Sequence, residues 1–176
     1  MALFSELGAI AGAVEQAGAV MANSLDEGHK LFFCGNGGSA ADAQHMAAEL
    51  TGRFIRDRKP LAAIALTTDT SALTAIANDY GFDYVFERQL EALGSAGDCL
   101  AVLSTSGRSE NILAAARQAR RMGMSVVGLL GRDGGGAKDL CSTAIVVPSK
   151  VTARIQEAHE FIGHALCAHI EAALGL

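Results

Sequence analysis

Short apolar runs that end in glycine, serine or threonine alternate with longer segments of helical periodicity, and this alternation restricts the fold more than any other feature. The apolar runs are predicted strands, at 30–34, 61–66, 99–103, 125–130 and 144–147. Strand–helix–strand crossovers are right-handed in nearly all proteins, so consecutive strands form a parallel sheet covered on both faces. We therefore predict one doubly wound α/β domain over residues 1–176, a flavodoxin-like three-layer sandwich with five parallel strands.

Helical patterns fill the segments between the predicted strands. They lie at 39–50, 71–77, 85–93, 109–122 and 152–174, with an amphipathic helix within 1–21 and a short helix near Lys138. The stretch Asn78-Asp79-Tyr80-Gly81 is interpreted as a break between two helices. Ligands of such sheets bind beyond the carboxyl ends of the strands, where the strand order reverses. The loops after the first and third strands are therefore the candidate site.

Composition excludes several classes of protein. Hydrophobic residues make up 50% of the chain and charged residues 19%, which is typical of a globular domain and not of a disordered one. The net charge of -5 argues against a nucleic-acid-binding surface and against binding to an anionic membrane. No apolar run is long enough to predict a transmembrane helix. The cysteines form no C-x-x-C pair, so we expect reduced thiols in a cytosolic protein.

The loop after the first strand reads G-N-G-G-S-A at 35–40 and matches the G-x-G-x-x-A dinucleotide fingerprint. The acidic residue that should hold the ribose about 20 residues later is missing, since the candidate Asp69 lies farther along the chain. A tight turn without a ligand is a second interpretation. We favour a third, an anion or hydroxylated ligand at the helix N-terminus, where free N–H groups and the helix dipole attract negative charge.

The loop after the third strand carries four hydroxyl groups around Gly107, immediately before a helix. They belong to Ser104, Thr105, Ser106 and Ser109. N-capping of the helix would need only one of them. Hydroxyls combined with free backbone amides form a phosphate cradle. Because the loop lacks the Gly-Lys-Thr of a P-loop, it indicates a static phosphate handle and not phosphoryl transfer.

Two pairs of polar residues are candidate metal ligands. His45 and Glu49 lie one helical turn apart on the same face, a spacing that suits a metal but that alone favours a hydrogen-bonded surface pair. Gln156 and His164 lie on the last predicted helix, about 12 Å apart along its axis. Both could reach one ion only from opposite sides.

Other polar side chains are interpreted as structural. His159 and His169 are expected to be hydrogen-bonded packing residues on the last helix. A basic cluster is expected to lie in a solvated loop and consists of Arg53, Arg56, Arg58 and Lys59.

Five ordered motifs resemble those of the phosphoheptose isomerase family, whose members consist of a single sugar-isomerase (SIS) domain. They read C-G-N-G-G-S at 34–39, H-M-A-A-E-L-T-G-R at 45–53, A-N-D-Y-G-F at 77–82, S-T-S-G-R-S at 104–109 and R-I-Q-E-A-H at 154–159. The resemblance extends from about Leu25 to the C-terminus.

This resemblance implies interconversion of sedoheptulose 7-phosphate and D-glycero-D-manno-heptose 7-phosphate, the first step toward the ADP- and GDP-linked heptoses of lipopolysaccharide and surface glycans. It also implies a cytoplasmic homotetramer with active sites between subunits, and no nucleic-acid or membrane partner. One zinc ion per subunit would be held by His45, Glu49, Gln156 and His164. Substrate contacts would come from Asn36, Gly37, Gly38, Glu49, Asn78, Asp79, Ser104, Thr105, Ser106, Ser109 and Gln156.

The implied isomerisation moves a proton between C1 and C2 through a cis-enediol, so it needs a base, an acid and electrophilic help for the enediolate. The resemblance assigns the base to Glu49 and the acid to His164, with zinc polarising the substrate oxygens. The main alternative is a non-catalytic protein of the same superfamily, the DnaA initiator-associating protein, which regulates replication initiation. That family lacks the Glu and His at positions 49 and 164 and has Arg in place of Ser106. The residues at these three positions favour the enzyme.

Overall fold

The computed structural model describes residues 7–176, and its strands form a single all-parallel sheet. The strands are β1 (Leu31–Gly35), β2 (Ala63–Ala65), β3 (Cys99–Ser104), β4 (Ser125–Gly131) and β5 (Thr143–Val147). Their order is β2-β1-β3-β4-β5, with every neighbouring pair parallel. The order reverses between β1 and β3, so the loops that follow these strands flank the switch point. The predicted five-stranded parallel α/β sheet is confirmed.

Six α-helices cover the two faces of the sheet. They are α1 (Ala11–Asp26), α2 (Gly38–Thr51), α3 (Thr70–Tyr80), α4 (Glu87–Leu93), α5 (Glu110–Arg121) and α6 (Thr152–Ala173). Short 3-10 helices occur at Leu7–Ile10, Phe82–Tyr84 and Gly135–Leu140. Helices α1, α2 and α6 contribute to one hydrophobic core, and α3, α4 and α5 to the other. Successive residues of β1 point to opposite faces, since Phe33 lies in the first core and Phe32 in the second.

One predicted break is wrong, because α3 continues through Asn78, Asp79 and Tyr80. Asn and Asp have modest helix propensity, but the last turn of a helix tolerates them. The helix ends instead at Gly81, whose φ of 97° lies in the left-handed region open to glycine. The other strands and helices agree with the sequence prediction to within a few residues at each end.

The amphipathic helix predicted within 1–21 overlaps α1 in part: residues 1–6 lie outside the described residues, Leu7–Ile10 form a 3-10 helix, and α1 continues to Asp26. Helix α1 packs closely on α6 at Gly18, where an added Cβ would lie 2.6 Å from a ring carbon of His169. His169 therefore packs against α1, which agrees with the packing part of its expected role. Within residues 7–176, none of the helices combines the length and apolar character that crossing a membrane requires.

Candidate active site

The loop after β1 forms a turn that leads directly into α2. Gly37 has a φ of 59°, and α2 begins at Gly38. The Asn36 amide exchanges two hydrogen bonds of 2.9 Å with the Asn111 amide on α5, which ties this loop to the helix after β3. Asp69, the ribose-binding candidate of the dinucleotide interpretation, instead caps α3 by accepting a hydrogen bond of 2.9 Å from the Ala72 amide.

The hydroxyl-rich loop after β3 is folded around its own backbone amides. Ser104 Oγ accepts a hydrogen bond of 3.0 Å from the Gly107 N–H, and Ser106 Oγ accepts one of 3.3 Å from the Arg108 N–H. Each hydroxyl still has its own hydrogen to donate. Ser109 is the N-cap residue of α5 but makes no side-chain capping bond, so capping does not explain its hydroxyl. The loop therefore presents several O–H donors at the N-terminus of α5.

These two loops enclose one cavity of about 250 Å³. Its lining consists of Leu103 and ten polar or glycine residues, namely Asn36, Gly37, Gly38, Ser39, Ser104, Thr105, Ser106, Ser109, Thr152 and Gln156. Gln156 enters it from α6, and its Nε2 would lie 2.2 Å from a Cβ built on Gly38. A side chain at position 38 would displace the Gln156 amide from this place. The cavity can hold an anionic, hydroxylated ligand at the N-termini of α2 and α5.

A second group of polar side chains lies farther along α2 and α6. His45 Nε2 lies 3.1 Å from Glu49 Oε1 and 3.3 Å from His164 Nε2. The Phe54 ring packs against His164 at a centroid separation of 5.4 Å. The structure thus brings together three of the four predicted metal ligands. The fourth, Gln156, has its amide in the cavity next to Gly38.

Two carboxylates that the sequence analysis did not identify border the histidines. Glu160 Oε1 lies 3.2 Å from His45 Nδ1, and one donor atom each from His45, Glu160 and His164 lie within 4.8 Å of one another. Asp42 lines the same small recess, and its buried Oδ2 has no hydrogen-bond partner within residues 7–176. Burial, with a further contribution from the Glu160 charge, raises the pKa of Asp42 to about 6, against the opposing effect of His45.

Both carboxylates could have been found from helical spacing. Asp42 precedes His45 by three residues, and Glu160 lies four residues from both Gln156 and His164. Asn111 offers no such signal, because its partner Asn36 is 75 positions away in sequence.

The C-terminal end of α2, which carries Glu49, is fixed by a buried arginine. Arg58 was expected in a solvated loop, and that expectation is wrong: its side chain is 2% exposed. Its Nε donates to Glu171 Oε1 at 2.7 Å, and its Nη2 donates to the Glu49 carbonyl at 2.8 Å. A guanidinium can satisfy a carboxylate and the last carbonyls of a helix together, which the other basic side chains of the cluster do not do here.

His159 also differs from its expected role. It is fully buried, but neither ring nitrogen has a hydrogen-bond partner of good geometry among the described residues. Burial lowers its pKa to about 4, against the opposing effect of the Leu130 backbone. His159 is therefore a neutral packing residue at neutral pH.

Two predicted substrate contacts lie apart from both groups. Asn78 and Asp79 are exposed near the end of α3, where the Asn78 amide donates to the Asp79 carboxylate at 2.7 Å. Asp79 lines a different cavity, between α3 and α4.

Comparisons with known proteins show the family and the fold of this chain. Residues 2–131 match the family model described as the SIS domain. The chain is 56% identical over 170 residues to a phosphoheptose isomerase of Campylobacter concisus, covering 97% of this chain and 90% of that protein. It is 53% identical to the one from Rhodospirillum rubrum, covering 97% and 91%. The solved structure of a phosphoheptose isomerase from Neisseria gonorrhoeae superposes with a TM-score of 0.92 at 48% identity, covering 97% of this chain and 91% of that one.

Proposed function

Because this chain belongs to the phosphoheptose isomerase family of SIS-domain proteins, we propose that it interconverts sedoheptulose 7-phosphate and D-glycero-D-manno-heptose 7-phosphate. The observation that carries this proposal is a hydroxyl-lined cavity at the N-termini of α2 and α5, together with a cluster of histidine and glutamate side chains farther along α2 and on α6. Residues 1–176 are taken as one SIS domain, since β5 and α6 complete the sheet and core that the earlier elements begin.

The loop after β3 would hold the substrate phosphate. The Ser104 and Ser106 hydroxyls keep a free hydrogen, Ser109 is not used as a cap, and the N-terminus of α5 adds its dipole. Asn36, Gly37, Gly38 and Thr105 would complete the cradle, with Gln156 at the cavity wall.

The reacting carbons would lie toward His45 and Glu49. Seven residues of α2 separate Gly38 from His45, which corresponds to about 10 Å along the helix axis. In an open-chain heptose 7-phosphate, C1 and C2 lie at the opposite end from the phosphate. A substrate anchored by its phosphate would therefore extend along α2 toward the acid/base cluster.

Glu49 would remove the proton from one carbon of the C1–C2 pair and return it to the other. His164 would serve the neighbouring oxygen as the acid, since a carbonyl oxygen must gain a proton as the enediol forms. Both side chains are partly buried and lie on either side of His45 Nε2. Partial burial limits competition from water and strengthens their electrostatic effect.

The donor set fits a zinc ion. His45 Nε2, Glu49 Oε1 and His164 Nε2 are nitrogen and carboxylate ligands that zinc accepts, and ligands at about 2.0–2.1 Å from a tetrahedral ion lie roughly 3.3 Å apart. The His45–Glu49 and His45–His164 separations of 3.1 and 3.3 Å agree with that spacing, while the three residues whose donor atoms all lie within 4.8 Å of one another are His45, Glu160 and His164. Gln156 would be the remaining protein ligand, and each subunit would bind one zinc ion. Zinc in this position would act as a Lewis acid on the substrate oxygens.

Asn78 and Asp79 would reach the substrate of a neighbouring subunit. They lie on the exposed end of α3, followed by the exposed aromatic side chains of Tyr80, Phe82 and Tyr84. A homotetramer with active sites between subunits would bring such a surface to another copy. We place the enzyme in the cytoplasm, supplying the ADP- or GDP-heptose of lipopolysaccharide or surface glycans.

The test is to determine the metal content of the protein, incubate it with sedoheptulose 7-phosphate, and follow aldose formation by NMR with and without a chelator. We expect turnover that is lost on chelation and restored by zinc. Absence of turnover in the zinc-loaded protein would contradict the proposal and support the alternative, a non-catalytic DnaA initiator-associating protein. The similarity to phosphoheptose isomerases does not favour that alternative.

A further inference from the structure

The His45 ring lies between carboxylates on both of its nitrogen atoms. On one side, Nε2 is 3.1 Å from Glu49 Oε1 and 3.3 Å from His164 Nε2. On the other side, Nδ1 is 3.2 Å from Glu160 Oε1. The ring therefore joins α2, which carries His45 and Glu49, to α6, which carries Glu160 and His164.

A neutral imidazole has one N–H, so it can donate to only one of these two carboxylates. If Nε2 binds a metal ion, the hydrogen must be on Nδ1, and Glu160 is then its acceptor. Among the described residues, Glu49 and Glu160 are the carboxylates that lie within 4.0 Å of a His45 ring nitrogen, and Asp42 is not one of them.

We propose that Glu160 is a positioning residue for His45: its carboxylate accepts the Nδ1–H, fixes the ring orientation and leaves Nε2 free to bind the metal ion. This inference rests on the proposed metal site. Glu160 acts through His45 and is not assigned any contact with substrate.

The same residues offer a competing arrangement in which Glu160 binds the ion directly. The atoms of His45, Glu160 and His164 lie within 4.8 Å of one another, which a shared ion would allow. The two roles differ in what Glu160→Gln should do. A glutamine oxygen still accepts the Nδ1–H, but a neutral amide is a weaker metal ligand than a carboxylate.

The first measurement is zinc affinity, determined by competition with a chromophoric chelator. Carboxylates that hold a ligating histidine typically contribute 10–100-fold in affinity, and Glu160 is half exposed, so we expect about a tenfold loss in Glu160→Ala. The zinc affinity of Glu160→Gln should stay within about threefold of that of the unmodified protein, because the glutamine oxygen still accepts the Nδ1–H. Glu91→Ala removes an exposed carboxylate from α4 and should leave the affinity unchanged.

The second measurement reports on the hydrogen bond itself. In protein labelled with ¹⁵N-histidine and loaded with zinc, the His45 Nδ1–H should give an observable resonance. It should persist in Glu160→Gln and be lost to exchange with water in Glu160→Ala. A purely structural role of Glu160 would not change this one resonance selectively.

The outcomes separate the inference from the proposed function. Equal zinc affinity and an equal Nδ1–H signal in Glu160→Ala would overturn the positioning role. A Glu160→Gln variant as weak as Glu160→Ala would overturn it in favour of direct ligation. Failure of the unmodified protein to bind zinc would instead overturn the proposed metal site, and with it the role of Glu160 in orienting a metal ligand.

Discussion

Replacing Arg58 by methionine is expected to destabilise the protein far more than the same replacement of a solvent-exposed loop arginine would. Arg58 is buried against Glu171, and its guanidinium also donates to the backbone carbonyls of Glu49 and Leu50 at 2.8 Å each. In Arg58→Met these carbonyls lose a donor. The Glu171 carboxylate, 7% exposed, then retains a hydrogen bond of 3.4 Å from the Phe54 N–H.

Removing one partner of a buried ion pair costs about 3–5 kcal/mol, mainly because the other charge stays buried without compensation. The lost carbonyl contacts place Arg58→Met toward the upper part of this range. Glu171→Gln keeps an acceptor for the guanidinium but leaves the buried Arg58 charge without a counter-charge, so it should cost about 3 kcal/mol, the lower end of the same range. In the double variant Arg58→Met/Glu171→Leu, position 171 no longer carries an unpaired buried carboxylate. It should therefore be more stable than Arg58→Met alone.

The assay is urea unfolding followed by circular dichroism, in chelator and at a fixed protein concentration, so that neither metal nor assembly changes the comparison. Arg56→Met is the matched control, since Arg56 is exposed in the same loop. It should change the free energy of unfolding by less than about 0.5 kcal/mol. If Arg58→Met were no more destabilised than Arg56→Met, the buried ion pair would not be holding this end of α2.

Three further changes test other parts of the structure. Ser109→Ala should raise KM about tenfold or more with little change in kcat, because a phosphate handle binds ground and transition states alike; steady-state kinetics would contradict this with a loss confined to kcat. Gly38→Ala places a methyl group 2.2 Å from the Gln156 amide, so kcat/KM should fall while the urea midpoint stays close to that of the unmodified protein; unchanged kcat/KM would refute it. Because of His159, the free energy of unfolding should decrease as the pH falls from 6.5 to about 4. In this range the His159 ring binds a proton in the unfolded chain but stays neutral in the folded protein, and the full effect is about 3 kcal/mol. His159→Leu should lack that part of the pH dependence in urea unfolding between pH 7 and pH 4, and an unchanged profile would exclude His159 as its source.

The sheet could be predicted from the sequence because each strand is a short apolar run with a glycine or hydroxyl boundary. Both candidate loops followed from the strand order, and the hydroxyls of one of them indicated phosphate. The helix boundary near Asn78 could not be predicted from propensity alone. There, the left-handed conformation of Gly81 and not the polar side chains sets the end of α3.

Long-range pairs account for most of what sequence patterns missed. Arg58 and Glu171 are 113 positions apart, and no local pattern distinguishes Arg58 from the exposed arginines beside it. His45 and His164 are 119 positions apart, so only the family resemblance predicted their meeting. The spacing on α6 predicted that Gln156 and His164 are separated along the helix axis, and the structure has the Gln156 amide next to Gly38.

The most direct test of the central claim is the reaction of sedoheptulose 7-phosphate in D₂O, followed by NMR in the zinc-loaded protein and in Glu49→Gln. Proton transfer through a base that exchanges with solvent predicts aldose formation with deuterium at C2 in the unmodified protein, and neither product nor deuterium in Glu49→Gln. Aldose formation by Glu49→Gln at an undiminished rate would contradict the assignment of the base. Absence of aldose from the unmodified protein would contradict the isomerase itself.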